Sequence, residues 1–502
     1  MKKLRGAANN KTIIGVIIAL VVLAGSYFAY GKLGKDNPKA ELKDAFLGVI
    51  TEFHNTANDL TPGLGESEMS KKILDNGAFD LDMNVNTELL ASMGIDKAGI
   101  NLRFKQNNKA KKAEFEMGAN LGNLSTLSLN TKFLGDEIYL DTPFAYDKAF
   151  KINAKTLGAD LETSALATLM NIDTEEAKNL SIDLFGNAKT FAEQKKEFFA
   201  FVKTEQSTLV KNMNITKVET DKVTSEKLAQ TDLEQFSIEV NSTDLKAYLN
   251  KSIDFAISVN EKQIESIAGT DSLMNSDFQS QIDSLKQTKT EIENAELKEK
   301  VTLKATLNKE GKLVAFNLPN FATDAKEKEV MNVYLAGKKN TTDDITVEFS
   351  DELDTFTMTY KTVAGESQNT SDFLISENDE TILSISSTYS PADKSFTGNS
   401  TAFNAVAGEK MDITLSGKYE DVVEGVSYNQ IFDNITISTP SQEPIVLSGN
   451  IKLSVEAPEI TAPENSTEIL KLTEEELNSL ETEIMTNVES SLMPLMTVMY
   501  GL

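Results

Sequence analysis

Phe79, Leu81, Met83 and Val85 alternate with polar residues, and the same alternation returns at Ala98–Phe104, Ala113–Ala119 and Leu127–Phe133. A side-chain period of two places every second residue on one face of a strand, so each run reads as a strand with one apolar and one wet face. Connections rich in Gly, Asn and Lys separate the runs, which predicts consecutive strands pairing antiparallel as a meander. Gly135-Asp136-Glu137 then turns the chain into Ile138-Tyr139-Leu140.

Helical spacing flanks and interrupts this pattern. Leu42, Ala45, Phe46, Val49, Ile50 and Phe53 predict an amphipathic helix over Lys39–Ala57, stopped by Leu60-Thr61-Pro62-Gly63. From Asp173 an apolar stripe runs through Phe185, Phe191, Phe198, Phe199 and Val202, and further helices are expected around Thr243–Ile267 and Ser276–Ile292. A hairpin over Val301–Leu318 follows. Past a seam at Pro319–Lys328, strand-like runs recur from Val330 to Val455 without a long helix. Glu456–Ser466 is a linker. Thr473 and Glu476 form a capping box for a closing helix, which Pro494 is expected to kink or end. The expected class is α+β: an N-terminal transmembrane helix, then large twisted antiparallel sheets of β-meanders with packed amphipathic helices. The expected divisions are a tail at 1–11, an anchor at 12–30, an α+β unit at 31–320, a mainly β unit at 321–460, and a linker with helix at 461–502.

The anchor is read from Thr12–Tyr30, nineteen residues without a charge. As a helix it would be roughly 28 Å long at about 1.5 Å per residue, close to the ~30 Å hydrocarbon layer. Tyr27, Phe28 and Tyr30 suit a headgroup boundary. A cleaved signal peptide would have a shorter apolar run ending at small residues. Leu23-Ala24-Gly25-Ser26 has Ser where a lipidated protein needs Cys. The basic, acid-free tail favours a cytoplasmic N-terminus with the large remainder outside.

Charge narrows the partners. The chain carries 49 basic and 77 acidic residues, a formal −28, and only two arginines, Arg5 and Arg103. The first 35 residues hold six basic and no acidic side chains, so the rest carries −34. Nucleic acid calls for clustered cations and is not an expected partner. The membrane, and a lipid or envelope protein, are the expected ones. The absence of Cys fits an exported chain that folds on its hydrophobic core alone.

No catalytic, cofactor-binding or metal-binding residue is assigned, and no cofactor is expected. His54 is the single histidine, with no second His or Cys to complete a zinc site. Asp80, Asp82, Asn84, Asn86 and Glu88 mimic the alternating ligands of a calcium loop, but Val85 stands where the turn glycine is required, so a solvent-facing strand is the expectation. The acids from Asp343 to Asp354 are expected on a solvated strand edge. Gly6–Thr12 lacks the second Gly of a phosphate loop. No two carboxylates stand out as a hydrolytic pair.

The exported meander, the unit Gly135-Asp136-Glu137-Ile138-Tyr139-Leu140 and the helices laid across the sheet resemble the half-barrel envelope proteins of the LolA/LppX-like group. Over Phe79–Leu318 that resemblance implies an open curved sheet plugged by helices, carrying a lipid or lipoprotein acyl chain between them. This chain differs in lacking the lipobox Cys, in keeping its anchor and in its second set of strands, and its anchor-plus-β layout equally resembles membrane-anchored bacterial envelope proteins of unknown function. A non-catalytic binding protein is therefore expected, with a structural envelope protein and a hydrolase as alternatives.

Overall fold

The strictly alternating runs fall on strands, and how those strands join is what the pattern did not reveal. The computed structural model describes residues 38–500, apart from 74–75, 87–94, 96–97, 122–125, 174–176, most of 179–207, 226–227, 229, 267–272, 320–322, 324–329, 351–353, 405–408 and 457. A first run comprises β1 (Asn76–Asn86), β2 (Ala98–Asn107), β3 (Lys112–Leu121), β4 (Thr126–Leu134), β5 (Glu137–Asp141) and β6 (Ala149–Asn153). The second begins with β7 (Asn214–Ser225), β8 (Gln230–Asn241), β9 (Lys300–Leu307), β10 (Leu313–Pro319), β11 (Val330–Leu335), β12 (Asp344–Ser350) and β13 (Thr355–Ala364). It continues through β14 (Asn369–Glu377), β15 (Glu380–Tyr389), β16 (Ser395–Asn404), β17 (Glu409–Val423), β18 (Ser427–Thr439) and β19 (Gln442–Ser454), and the short β20 (Ser466–Glu468) stands apart.

All of them form one 20-stranded sheet. Each strand from β7 to β19 pairs antiparallel with the next, β19 returns to pair with β1, and β1 leads through β2–β5 to β6. β20 adds to β6 in parallel. This overturns the expected fold class. A single mixed sheet replaces several antiparallel sheets, and among the described residues no helix is long and apolar enough to cross a membrane. The uncharged run Thr12–Tyr30 lies outside the described residues, as do Gly6–Thr12 and most of the Phe185–Val202 stripe. The physical reason is that alternation reports which face of a strand is apolar, whereas edge choice depends on partners far apart in sequence. The decisive pairing, Phe79 opposite Leu453, joins residues from the two ends of the chain.

Seven α-helices are described from end to end. They are α1 (Pro38–Leu60), α2 (Glu66–Lys72), α3 (Leu157–Glu162), α4 (Ala165–Leu169), α5 (Ser242–Ser266), α6 (Leu273–Asn294) and α7 (Glu474–Tyr500). α1, α5 and α6 cover one face of the sheet over β8–β12. Leu42, Ala45 and Phe46 of α1, Leu245 and Leu249 of α5 and Ile282 of α6 bury against Phe236, Leu303 and Phe316. Phe46 meets Phe316 edge to face at 5.8 Å. The capping box at α7 is reciprocal: the Thr473 amide donates to Glu476 at 2.8 Å, and the Glu476 amide to the Thr473 hydroxyl at 3.3 Å. α7 does not end at Pro494 but runs on to Tyr500.

Gly449 marks the seam where β19 meets β1. A Cβ there would run into the Asp82 carbonyl oxygen and come within 2.9 Å of the Met83 Cα. Gly449→Val is expected to destabilise the fold by about 1–3 kcal/mol through overpacking. Hydrogen exchange should show the loss first at the β1 amides, while the β8–β9 amides stay protected.

Candidate functional site

The polar residues singled out in the sequence fall on strand and helix faces, some of them outside the described residues. Asp80 and Asp82 lie on paired β1, opposite Lys452 and Asn450 on one side and Arg103 and Asn101 on the other, as a strand face requires. Glu88 and the side chain of Asn86 lie outside the described residues. His54 is on α1, and its side chain is likewise not described. Among the described residues no group of three or more His, Cys, Asp or Glu could hold a metal ion. Asp344 and Glu348 are not on a sheet edge, because β12 is paired on both sides, and Asp351 and Glu352 lie outside the described residues. Asp343 instead belongs to a dense polar clamp. Glu52 on α1 accepts from the Thr341 amide at 2.7 Å and hydroxyl at 2.5 Å, and pairs with Lys312 at 2.8 Å. Thr56 donates to Asp343 at 2.7 Å. These groups satisfy one another and fasten α1 to the sheet.

The feature that needs a purpose is apolar. Register pairs carry one uninterrupted row across eight strands: Tyr428 of β18, Leu453 of β19, Phe79 of β1, Phe104 of β2, Phe115 of β3, Thr131 of β4, Leu140 of β5 and Phe150 of β6. Seven steps of about 4.8 Å make the row roughly 34 Å long. Its flanks are equally uncharged, with Ile100 opposite Met83 and Ala119, and Met117 opposite Leu102 and Leu129. It is the same face that the helices cover over β8–β12, but here it lies open. Ile100 is 52% exposed, Met117 46%, Phe104 39%, Phe115 37% and Leu140 36%. Leaving such side chains in water forgoes part of the about 1.5–3 kcal/mol that full burial of each would supply. Contiguous apolar patches of this kind mark interaction sites on soluble domains.

The opposite, charged face is the one that is strapped. Glu114 is buried there between Lys105 at 3.0 Å and Lys132 at 3.5 Å, and accepts from Asn130 at 3.0 Å. Burial pushes its pKa up, but the hydrogen bonds from Asn130 and Lys105 and both lysine charges outweigh that and hold it below the usual carboxylate value. The segment after β19 crosses over this layer. Lys112 donates to the Ile460 carbonyl at 2.8 Å, Lys132 to that of Thr461 at 3.2 Å, and Ile460 is buried. The expected linker is thus a strap leading to β20, and it leaves the apolar side free.

At the β18 end the open face runs into aromatic rings. Tyr419 meets Tyr428 at 5.3 Å, Phe396 at 5.2 Å and Tyr389 at 5.9 Å. Glu66, the first residue of α2, lies beside Tyr428, close enough for its charge to act on the phenol. Burial, with the Glu66 charge adding to it, pushes Tyr428 up to about 12 and raises Tyr419 and Tyr389 too.

The Phe185–Val202 stripe that was expected to lie over the sheet falls mostly outside the described residues. Two shallow depressions are found among the described residues. One of about 230 Å³ lies by Leu233, Lys304, Asn317 and Tyr334, and one of about 120 Å³ lies by Glu137, Lys151, Asp160 and Lys471. The open face was missed in the sequence because exposure is a property of what packs on a strand, not of the strand's own pattern. No protein-family profile matches the chain, and no curated protein or solved structure matches it significantly. The LolA/LppX-like resemblance therefore rests on the sequence layout alone.

Proposed function

We propose that this chain is a non-catalytic binding protein for an apolar ligand, a lipid or a lipoprotein acyl chain, acting outside the cytosol and held at the membrane by the uncharged run 12–30. The observation that carries the reading is the open, uncharged face from β18 to β6, with Phe104, Phe115 and Met117 at its centre. An alkyl chain laid there removes apolar surface from water on both partners, and it needs no polar group from the protein. The ligand seat is thus the bare half of the sheet, not the packed layer beneath α1, α5 and α6, where Phe236 and Leu303 are fully buried. The formal −28 disfavours nucleic acid and anionic surfaces as alternatives.

Native mass spectrometry of the full chain, purified in mild detergent and exchanged into lipid vesicles, tests the reading. Bound lipid that disappears on substitution in the β2–β3 face is the expected result. A ligand-free mass under these conditions would sink it.

A further inference from the structure

Resting on the lipid-binding reading, we propose that the aromatic end of the open face is a headgroup subsite, and that the lipid taken carries a cationic ammonium headgroup. Three observations converge on β15–β18. The row from Phe115 through Phe104, Phe79 and Leu453 ends at Tyr428 by direct register, so a chain lying along it delivers its head to these rings. Glu66 is an exposed carboxylate beside Tyr428, where it accepts from the Thr61 hydroxyl at 3.1 Å and, among the described residues, forms no ion pair. The hydroxyl of Tyr389, a residue 95% buried by its 5% exposure, has no hydrogen-bond partner in the cluster. Aromatic faces next to a carboxylate attract an ammonium group through the ring quadrupole and through charge together. An anionic headgroup would meet Glu66 and, on the neighbouring turn, Asp393, which the Ser390 hydroxyl and the hydroxyl and amide of Ser395 keep ionised.

Two lipids with identical acyl chains decide the matter, phosphatidylcholine and phosphatidylglycerol, mixed equally in vesicles with the full chain. The captured ratio is read by native mass spectrometry. The wild type is expected to favour phosphatidylcholine at least fivefold. Glu66→Gln should cut that ratio at least twofold while total lipid capture holds, and Tyr428→Phe should lower it in the same direction. Glu420→Gln, an acid that follows Tyr419 but points to the opposite face of β17, where it pairs with Lys418, removes the same single charge and should leave the ratio unchanged. Equal capture of both lipids by the wild type, or equal effects of Glu66→Gln and Glu420→Gln, would overturn the headgroup subsite and leave the lipid-binding reading standing. Capture of neither lipid overturns both.

Discussion

Phe115→Asp is expected to weaken lipid binding roughly ten- to hundredfold while the folded state loses only about 1 kcal/mol. The binding estimate follows from the about 1.5–3 kcal/mol gained when a large apolar side chain leaves water, and each 1.4 kcal/mol is about tenfold in affinity. Phe115 stands mid-row between Phe104 and Thr131, so a carboxylate there interrupts any chain lying across the strands. Stability is affected less because the side chain already stands 37% exposed. What remains is lost contact with Phe104 and the strand preference of an aromatic residue, a scale that spans about 1 kcal/mol. Titration with a fluorescent fatty acid and chemical denaturation, run on the same preparations, separate the two quantities. Phe115→Leu should restore most of the affinity. An Asp variant that binds as well as the wild type would place the ligand elsewhere.

The strand faces were legible in the sequence because the alternation is strict. Phe79, Leu81, Met83 and Val85 do share a face, and so do Ile100, Leu102 and Phe104. β16 was not legible, since its residues on that face are Phe396, Gly398, Ser400 and Ala402, three of them too small to signal a strand. β6 and β20 are too short for a periodic pattern, and a parallel pair between them depends on the strap's path. The candidate site was legible only in part. The sequence points to an apolar face, yet it cannot say that α1, α5 and α6 gather over β8–β12 and leave β1–β5 bare. That division follows from the return of β19 to β1, which sets the first meander beyond the reach of the helices. The tyrosine cluster was hidden for the same reason, because Glu66 and Tyr428 are brought together only when Gly65 packs on Gly425.

The clamp around Glu52 gives the largest expected change in stability. Glu52→Ala removes the acceptor from the amide and hydroxyl of Thr341, which is buried with Thr342 against α1. Each buried donor left without a partner costs about 1–3 kcal/mol, so the variant is expected to lose about 3–5 kcal/mol in chemical denaturation. Lys312 adds less, being partly exposed and able to regain water. Desolvation raises the Glu52 pKa, but the hydrogen bonds from Lys312 and Thr341 and the lysine charge prevail and leave it below the usual 4.5. Glu114 is depressed in the same sense. A carboxylate with a depressed folded pKa stabilises the fold fully above its unfolded pKa, and the contribution disappears as pH falls through the folded one. Wild-type stability should therefore fall as the pH drops below about 4.5, and more steeply than that of Glu52→Ala, which has already lost one of the two groups. Equal acid slopes for the two proteins would show that Glu52 is not held as an anion by the clamp. Because the clamp joins α1 to the turn before β12, its failure should loosen the helix-covered half and leave the charged ladder of Glu114 beneath the strap intact.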